Sequence, residues 1–249
     1  MHTTNRVPEP SSPPLGLLQA AKEACLVTAW DLSGMLVGRY YERLLQQHGR
    51  TPQALAERAD DKDLEFYQHL FERVDLSQPF SVLDIGCGMG DLIDFLQLRQ
   101  ASITAYLGID LVGPFIEVCR QEYLPPCEFQ KANFISRSFA PAERFDLVVN
   151  MGVLVSRVLS YEAYVEHCIE KMISLSSKYV LFNIITEVDM SLGNYRQAHR
   201  LGHITYLPKP RLTEILDRVT SRAWADYTIH ELRIYPDATD AFVRITIDA

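Results

Sequence analysis

The sequence predicts an α/β protein built on a doubly wound sheet, in which parallel strands carry helices on both faces. Two observations support this class. From Phe80 onward, short apolar runs alternate with amphipathic stretches, which is the order of β-α-β units. A glycine-rich turn, Gly86-Cys87-Gly88-Met89-Gly90, directly follows the first of these runs. Because ligands of such sheets bind at the carboxyl ends of the strands, the turn predicts a ligand site there.

Length and composition limit the class further. A chain of 249 residues, 47% of them hydrophobic, can bury a full core in one large domain or in a domain with an appendage. No apolar run reaches the roughly 20 residues that cross a bilayer, so we expect no membrane partner. The formal charge of −8 argues against a nucleic-acid partner, since phosphate backbones need a basic face. Five cysteines without a C-x-x-C pair predict neither disulfides nor a metal site, and fit a reduced cytoplasmic setting.

The region before the first strand divides into two predicted parts. Residues 1–14 are polar and rich in Pro and Ser, which predicts a disordered lead-in. Residues 15–78 are predicted as a helical cap: an apolar stripe from Leu36 to Leu45 marks one helix, which ends at Gly49, and a second helix is expected over 62–74. A helical segment in this place commonly folds over the ligand as a lid.

Residues 79–249 are predicted as the main α/β domain. Apolar runs predict strands over 80–85, 103–109, 127–130, 145–150 and 179–185, and periodicity predicts helices over 92–99, 113–123, 161–176 and 211–220. Two final strands, over 227–235 and 241–247, are joined by a turn over 236–240. This hairpin predicts an antiparallel edge on an otherwise parallel sheet.

Polar residues follow four consecutive strands of this domain, at the edge where ligands bind. Asp110 follows the second strand and can accept hydrogen bonds from both hydroxyls of a ribose. Asn133-Phe134 follows the third strand and Asn150-Met151 the fourth. Asp84 and Asp91 flank the glycine turn, where they would repel a pyrophosphate and attract a cationic amine. This pattern favours S-adenosylmethionine (SAM) over NAD, because SAM carries a ribose diol and an ammonium group but no phosphate.

A family resemblance points the same way. The stretch from Val82 to Asp91 resembles motif I of the class I SAM-dependent methyltransferases, and Gly108-Ile109-Asp110 resembles their ribose-binding motif. The element order from Phe80 to the end of the chain is similar to their Rossmann-like fold with a seven-stranded sheet. Short segments around Tyr41 and Tyr206 suggest a little-characterised bacterial branch that acts on small molecules. The resemblance implies SAM as cofactor, bound by the domain over 79–249.

The resemblance also implies a set of cofactor-binding residues. The loop glycines would let the backbone approach the amino-acid part of SAM, the flanking acids would lie near its ammonium, and Asp110 would hold the ribose. Asn133 stands where the family usually has an acid for the adenine amine, so we expect an amide hydrogen bond there. Phe134 is expected to stack on adenine, to lie beside the sulfonium, or to pack in the core. The set is Asp84, Gly86, Cys87, Gly88, Gly90, Asp91, Asp110, Leu111, Asn133, Phe134, Asn150 and Met151.

Methyl transfer requires no universal base, so the acceptor side is harder to predict. No Asn-Pro-Pro-Tyr tetrad follows the fourth strand, which favours a small-molecule acceptor over an amide or a nucleobase. Cys87 could act as a nucleophile, but a small apolar residue fitted into the loop is the preferred interpretation. The catalytic candidates are Phe134, Asn150, Tyr41 and Tyr206.

Three activities remain open at this point. A methyltransferase with a small-molecule acceptor is favoured. The first alternative is an enzyme in which SAM's own amine attacks Cγ, which forms azetidine-2-carboxylate and releases methylthioadenosine without needing an acceptor pocket. The second is a SAM-binding partner without catalysis. The sequence carries no signal for the oligomeric state.

Overall fold

The computed structural model describes residues 15–56, 63–192 and 204–247. The predicted lead-in, 1–14, lies outside these ranges. The strands are β1 (Phe80–Ile85), β2 (Ile103–Asp110), β3 (Cys127–Lys131), β4 (Phe145–Asn150), β5 (Ser176–Val188), β6 (Ala225–Leu232) and β7 (Ala238–Ile247). The helices are α1 (Leu15–His48), α2 (Asp63–Leu70), α3 (Asp91–Leu98), α4 (Gly113–Glu122), α5 (Tyr161–Leu175) and α6 (Lys209–Ala223), with a 3-10 helix η1 (Pro52–Leu55).

The seven strands form one sheet in the order β3-β2-β1-β4-β5-β7-β6. Strands β1 to β5 run parallel, and β7 lies antiparallel between β5 and β6. The predicted doubly wound α/β class and its antiparallel hairpin are therefore confirmed. The strand order reverses between β1 and β4, and this switch point opens a crevice at their carboxyl ends.

Two boundaries near the antiparallel edge differ from the prediction. β5 extends beyond 179–185 at both ends, because Ser176 pairs with Phe145 of β4 and Val188 pairs with Ala238 of β7. The hairpin turn predicted over 236–240 is wrong, since β7 already begins at Ala238. The connection instead covers residues 233–237, where Ile234 is buried against the sheet.

The helices of the main domain agree with the predicted ones, apart from their ends. α3, α4 and α5 begin and end within one residue of the predicted bounds, and α6 is longer at both ends. α2 ends at Leu70 instead of continuing to Val74, although Tyr67, Leu70 and Phe71 are buried as expected. No helix in the described ranges is both long enough and apolar enough to cross a membrane.

The N-terminal region packs on both faces of the sheet. Alternate side chains of β1 separate two cores: Leu83 faces one and Val82 the other. α1 contributes Val27 and Trp30 to the first core, which α5 and α6 also cover. α2 contributes Tyr67 and its neighbours to the second core, beside α3 and α4. Between the two helices, η1 lies near the carboxyl edge of the sheet.

The apolar stripe of α1 is only partly buried. Leu36, which begins the predicted stripe, is 67% exposed. Its neighbours Leu32 and Met35 are exposed to a similar extent. The buried contacts come instead from Val27 and Trp30, earlier in the helix. The periodicity correctly predicted a helix, but it did not identify the face that packs on the domain.

Candidate functional site

A cavity opens at the carboxyl ends of β1, β2 and β4, where the strand order reverses. The turns after β1 to β4 form its floor, and residues of α1, η1 and α5 complete the wall. Most of the predicted residues line it: Tyr41, Gly86, Cys87, Gly88, Asp91, Asp110, Leu111, Asn133, Phe134, Asn150 and Met151. Asp84, Gly90 and Tyr206 do not.

The glycine turn is shaped by backbone conformation and by close packing. Gly86 has φ +77°, and a Cβ atom there would lie 2.3 Å from Cγ2 of Val153. Gly90 has φ +102° and precedes α3; its Cβ would lie 2.4 Å from Cε2 of Tyr123. Gly90 is therefore required by the start of α3 and by Tyr123, and its contact with a ligand stays a prediction.

Asp110 connects the loops after β1 and β2. Its Oδ2 accepts a hydrogen bond from the backbone N–H of Gly88 at 3.1 Å, and its Oδ1 accepts one from Val112 at 2.8 Å. Burial raises the pKa of Asp110 to about 6, although these backbone donors act in the opposite direction. The carboxylate thus lies at the cavity wall with its orientation fixed.

Asp84 lies behind the cavity, where it is only 4% exposed. The hydroxyl of Tyr106 donates a short hydrogen bond to its Oδ2. Burial raises the pKa of Asp84 to about 7; the Tyr106 hydroxyl lowers it, and the charges of Asp110 and Asp91 raise it further. Asp84 is therefore bonded to Tyr106 outside the cavity lining, and its place near an ammonium stays a prediction.

The loop after β3 meets α1. Nδ2 of Asn133 donates to Oδ1 of Asp31 on α1 at 2.6 Å, and Oδ1 of Asn133 accepts from the N–H of Ile135 at 3.3 Å. Phe134 is 6% exposed and belongs to the core, yet it lines the cavity as well. The ammonium of Lys171 lies 5.5 Å from the centre of its ring. Two of the roles expected for Phe134, core packing and a place in the ligand site, are therefore compatible.

One cavity residue, Asn150, has a buried side-chain amide without a hydrogen-bond partner in the described ranges. It is fully buried at the end of β4, and within the described part of the chain neither Oδ1 nor Nδ2 has a partner. The nearby Asn183 is satisfied: it accepts from the N–H of Gly152 at 2.8 Å and donates to Asp240 at 3.1 Å. Since buried amides are normally paired, Asn150 points to a polar group supplied by a ligand.

Cys87 behaves as a small buried residue of the loop. Its contact with Cys119, followed by burial, raises the pKa of its thiol well above the ordinary value. Cys119 in turn donates to the carbonyl of Gly88 at 3.4 Å. A thiol that stays protonated is a poor nucleophile, so the arrangement supports the preferred interpretation.

Part of the cavity wall was not predicted. Tyr164 and Cys168 are one turn apart on α5, a helical spacing that by itself indicates only a buried face. Tyr206, predicted as catalytic, packs with Ile185 and Ala238 instead, outside the lining. Other lining residues outside the predicted set include Val37, Gly38, Leu55, Tyr67, Val112, Phe115, Ile135, Gly152, Val153 and Ser156.

One group among the described residues could hold a metal ion. Possible ligand atoms of His69, Glu72 and His230 lie within 4.8 Å of one another. The expectation of no metal site rested on cysteine spacing, which cannot detect side chains that the fold assembles from α2, its following turn and β6. These residues lie outside the cavity lining.

This sequence is similar to a protein-family model and to a named bacterial protein. A family model described as a methyltransferase domain matches residues 82–173. Rv1506c of Mycobacterium tuberculosis, whose name is "Putative methyltransferase", is 30% identical over 169 residues, which cover 65% of this chain and 95% of that protein.

Solved structures add a similarity in fold. The N-methyltransferase NodS from Bradyrhizobium japonicum WM9, in complex with S-adenosylhomocysteine (SAH), superposes with a TM-score of 0.56 at 18% identity, over 85% of this chain and 98% of its own. Magnesium protoporphyrin IX methyltransferase from Synechocystis PCC 6803, with bound SAH, gives 0.53 at 15% identity, over 75% and 82%. At these identities the likeness shows the shared fold.

Proposed function

This chain belongs to the class I SAM-dependent methyltransferases, and we propose that its acceptor is a small molecule without negative charge that binds in the same cavity as SAM. The observation that carries the proposal is Asn150, whose buried amide lacks a partner within the described ranges while facing the cavity. A ligand group that both donates and accepts, such as an amine or a hydroxyl, would complete its hydrogen bonds.

The cavity residues fit SAM. The backbone of the glycine turn can lie against its amino-acid part, and the carboxylate of Asp91 can attract its ammonium. Asp110 can accept from the ribose, and we assign the lining residues Leu111 and Asn133 to adenine. When bound, SAM supplies an electrophilic methyl group, and the protein's task is to hold the acceptor in line with the S–CH3 bond and to exclude water.

The charge of the wall limits the acceptor. Asp91 and Asp110 line the cavity, and no Lys or Arg does so among its described residues. Beyond the SAM residues the lining is mostly apolar and includes Tyr41, Val153 and Tyr164. An acceptor that carries a carboxylate or a phosphate would find no cationic side chain in this lining, whereas an acceptor without negative charge needs none.

An assay with defined products tests this proposal. The purified protein is incubated with SAM alone and with a panel of amines and alcohols that carry no negative charge, each paired with an analogue that carries a carboxylate. We expect SAH only when an acceptor without negative charge is present. Methylthioadenosine together with azetidine-2-carboxylate from SAM alone would instead identify the ring-closing reaction, and tight SAM binding without turnover across the panel would support a non-catalytic partner.

We also propose the cytoplasm as the compartment of this enzyme. All five cysteines are free, although Cys119 lies beside Cys87, and free thiols fit a reducing environment. Fractionation of the source cells, followed by immunodetection, should find the protein in the cytoplasmic fraction; recovery from an extracellular fraction would contradict this assignment.

A further inference from the structure

We propose that Asp31 is a positioning residue for adenine recognition: it holds the side-chain amide of Asn133 so that the carbonyl oxygen, rather than the NH2 group, is available to the adenine amine. The inference rests on the proposed SAM site, in which Asn133 contacts the base. It assigns to α1 a part in selecting the cofactor.

The need for positioning follows from the chemistry of an amide. The adenine amine donates hydrogen bonds, so its partner must accept. An acid at position 133 would accept with either oxygen, but the two ends of an amide differ: one accepts and the other donates. An unconstrained Asn133 could turn its NH2 group to the base, where it would suit the carbonyl of hypoxanthine instead of the amine of adenine.

The contact with Asp31 removes this ambiguity. A carboxylate only accepts, so the atom of Asn133 that lies 2.6 Å from Oδ1 of Asp31 must be the NH2 group. If the amide rotated by half a turn, two oxygens would face each other at this distance without a proton between them. Oδ1 of Asn133 accepts from the N–H of Ile135 at 3.3 Å, which leaves it one of its two acceptor sites.

The backbone of α1 lies close enough to make this contact rigid. Gly34 is on the same helix face as Asp31, and a Cβ atom at Gly34 would lie 3.2 Å from Nδ2 of Asn133 and 3.5 Å from Cδ1 of Leu111. The neighbouring Trp30 fixes the helix, since its Nε1 donates to the carbonyl of Leu159 at 2.7 Å. Asp31 is therefore held in place by the residue before it and by the close approach of the helix.

A half-buried cation, Lys171, is attached to the same loop. The Lys171 ammonium donates to the carbonyl of Ser136 at 2.7 Å, in the loop that also carries Asn133. Burial lowers the pKa of Lys171, and the negative charge of Asp31 acts against that lowering. The loop that carries Asn133 is thus attached to α5 through Lys171 as well as to α1 through Asp31.

The test compares two ligands that differ only in the base, SAH and S-inosylhomocysteine, in which hypoxanthine replaces adenine. Calorimetry gives both dissociation constants. We expect the protein to prefer SAH by roughly tenfold or more, the size of one or two hydrogen bonds. Asp31→Ala and the isosteric Asp31→Asn should reduce this ratio towards one, while Glu42→Ala, which removes another carboxylate from α1, should leave it unchanged.

A reciprocal exchange provides the rescue. In the double variant Asp31→Asn with Asn133→Asp, the amide at position 31 donates to a carboxylate at position 133, which accepts in any orientation. The preference for SAH should return. Asn133→Asp alone places two carboxylates in contact and should lower thermal stability, which the double variant restores.

Two results would overturn the inference: a wild-type protein that binds both ligands equally, or an Asp31→Ala variant that weakens both by the same factor. The second result would mean that Asp31 only supports the fold. Failure of the wild-type protein to bind SAH at all would instead contradict the proposed cofactor site, so the two proposals fail separately.

Discussion

Among single residues, Asp110 and Asn150 offer the most direct tests of the proposed site. For Asp110 the consequence is a dependence on pH. Its pKa is raised from 3.8 to about 6 by burial, so it becomes ionised only as the pH rises through about 6. The ionised carboxylate is the form that accepts hydrogen bonds from both ribose hydroxyls and attracts a cationic ligand.

We therefore expect the affinity for SAM to fall as the pH is lowered from 7 to 5. Asp110→Asn should remove most of this dependence and should weaken binding at pH 7 by about 1–3 kcal/mol, through loss of charge-assisted hydrogen bonds. Calorimetric titrations across the pH range measure both effects. A wild-type affinity that is flat between pH 5 and 7 would exclude Asp110 as the titrating group.

The same pKa shift has the opposite consequence for the stability of the ligand-free protein. The folded state holds the Asp110 proton more tightly than the unfolded chain does, because its pKa is the higher one. The contribution of this group to the free energy of unfolding is therefore greatest below about pH 4 and is lost as the pH rises to about 6. Denaturant unfolding of wild type and Asp110→Asn at pH 4 and pH 7 should show the difference between the two proteins changing in this direction.

Asn150 should behave differently from a structural asparagine. Its amide has no partner within the described ranges, so Asn150→Ala removes an unsatisfied polar group and should cost little stability, while methyl transfer falls at least tenfold. Asn183→Ala is the matched control, because it breaks two hydrogen bonds and should destabilise the protein by about 1–3 kcal/mol. Thermal unfolding and methyl-transfer turnover are measured for both variants. Equal destabilisation would show that Asn150 is structural.

At the scale of elements, α1 depends on one long-range anchor. Trp30 is 4% exposed and donates from Nε1 to the carbonyl of Leu159. Trp30→Phe keeps most of the packing but leaves that carbonyl without its donor, so we expect the free energy of unfolding to fall by about 1–2 kcal/mol. Trp224→Phe, at a position that is 85% exposed, should have no measurable effect. Denaturant unfolding monitored by circular dichroism compares them.

The elements differ in how well the sequence predicts them. β1 and β4 were predicted with the observed bounds, since strands buried on both faces are continuous apolar runs. The ends of β5 were missed because pairing with neighbouring strands extends into polar residues such as Ser176 and Glu187. Register between strands is a tertiary property that no local pattern contains.

The residues of the candidate site also differ in how well the sequence predicts them. The positions of Asp110 and the glycine turn in the cavity were predictable, since each directly follows a predicted strand. Asp31 and Leu55 were not, because each meets the site from a distant part of the sequence; 102 residues separate Asp31 from Asn133. Their types and spacing resemble those of any amphipathic segment, and only the packing of the N-terminal region gives them a partner.

The whole molecule encloses its site with the N-terminal region. α1 lies on one face of the sheet and α2 on the other, and Leu55 of the intervening η1 lies over the glycine turn, 3.1 Å from where a Cβ of Gly88 would be. η1 therefore lies against the turn, and the helices before and after it in the chain pack on opposite faces of the sheet. The lid predicted from the sequence stays a prediction.

If Leu55 covers the ligand, shortening it should speed release. We expect Leu55→Ala to raise the dissociation rate of SAH by about tenfold, since residence time reports the contacts that must break on release. Leu64→Ala, which removes a half-exposed leucine from α2, should leave the rate unchanged. Stopped-flow displacement measures both; an unaltered rate in Leu55→Ala would show that the ligand leaves by another route.

The anchor of α1 also has a consequence for the order of folding. The hydrogen bond between Trp30 and Leu159 joins residues 129 positions apart, so it can form only once the ribosome has passed Leu159. Until then Val27 and Trp30 have no sheet to pack on and present apolar surface, the kind of surface that chaperones protect. The helix that carries Asp31 is thus synthesised well before the segment that anchors it, so we expect the two to meet only after Leu159 has left the ribosome.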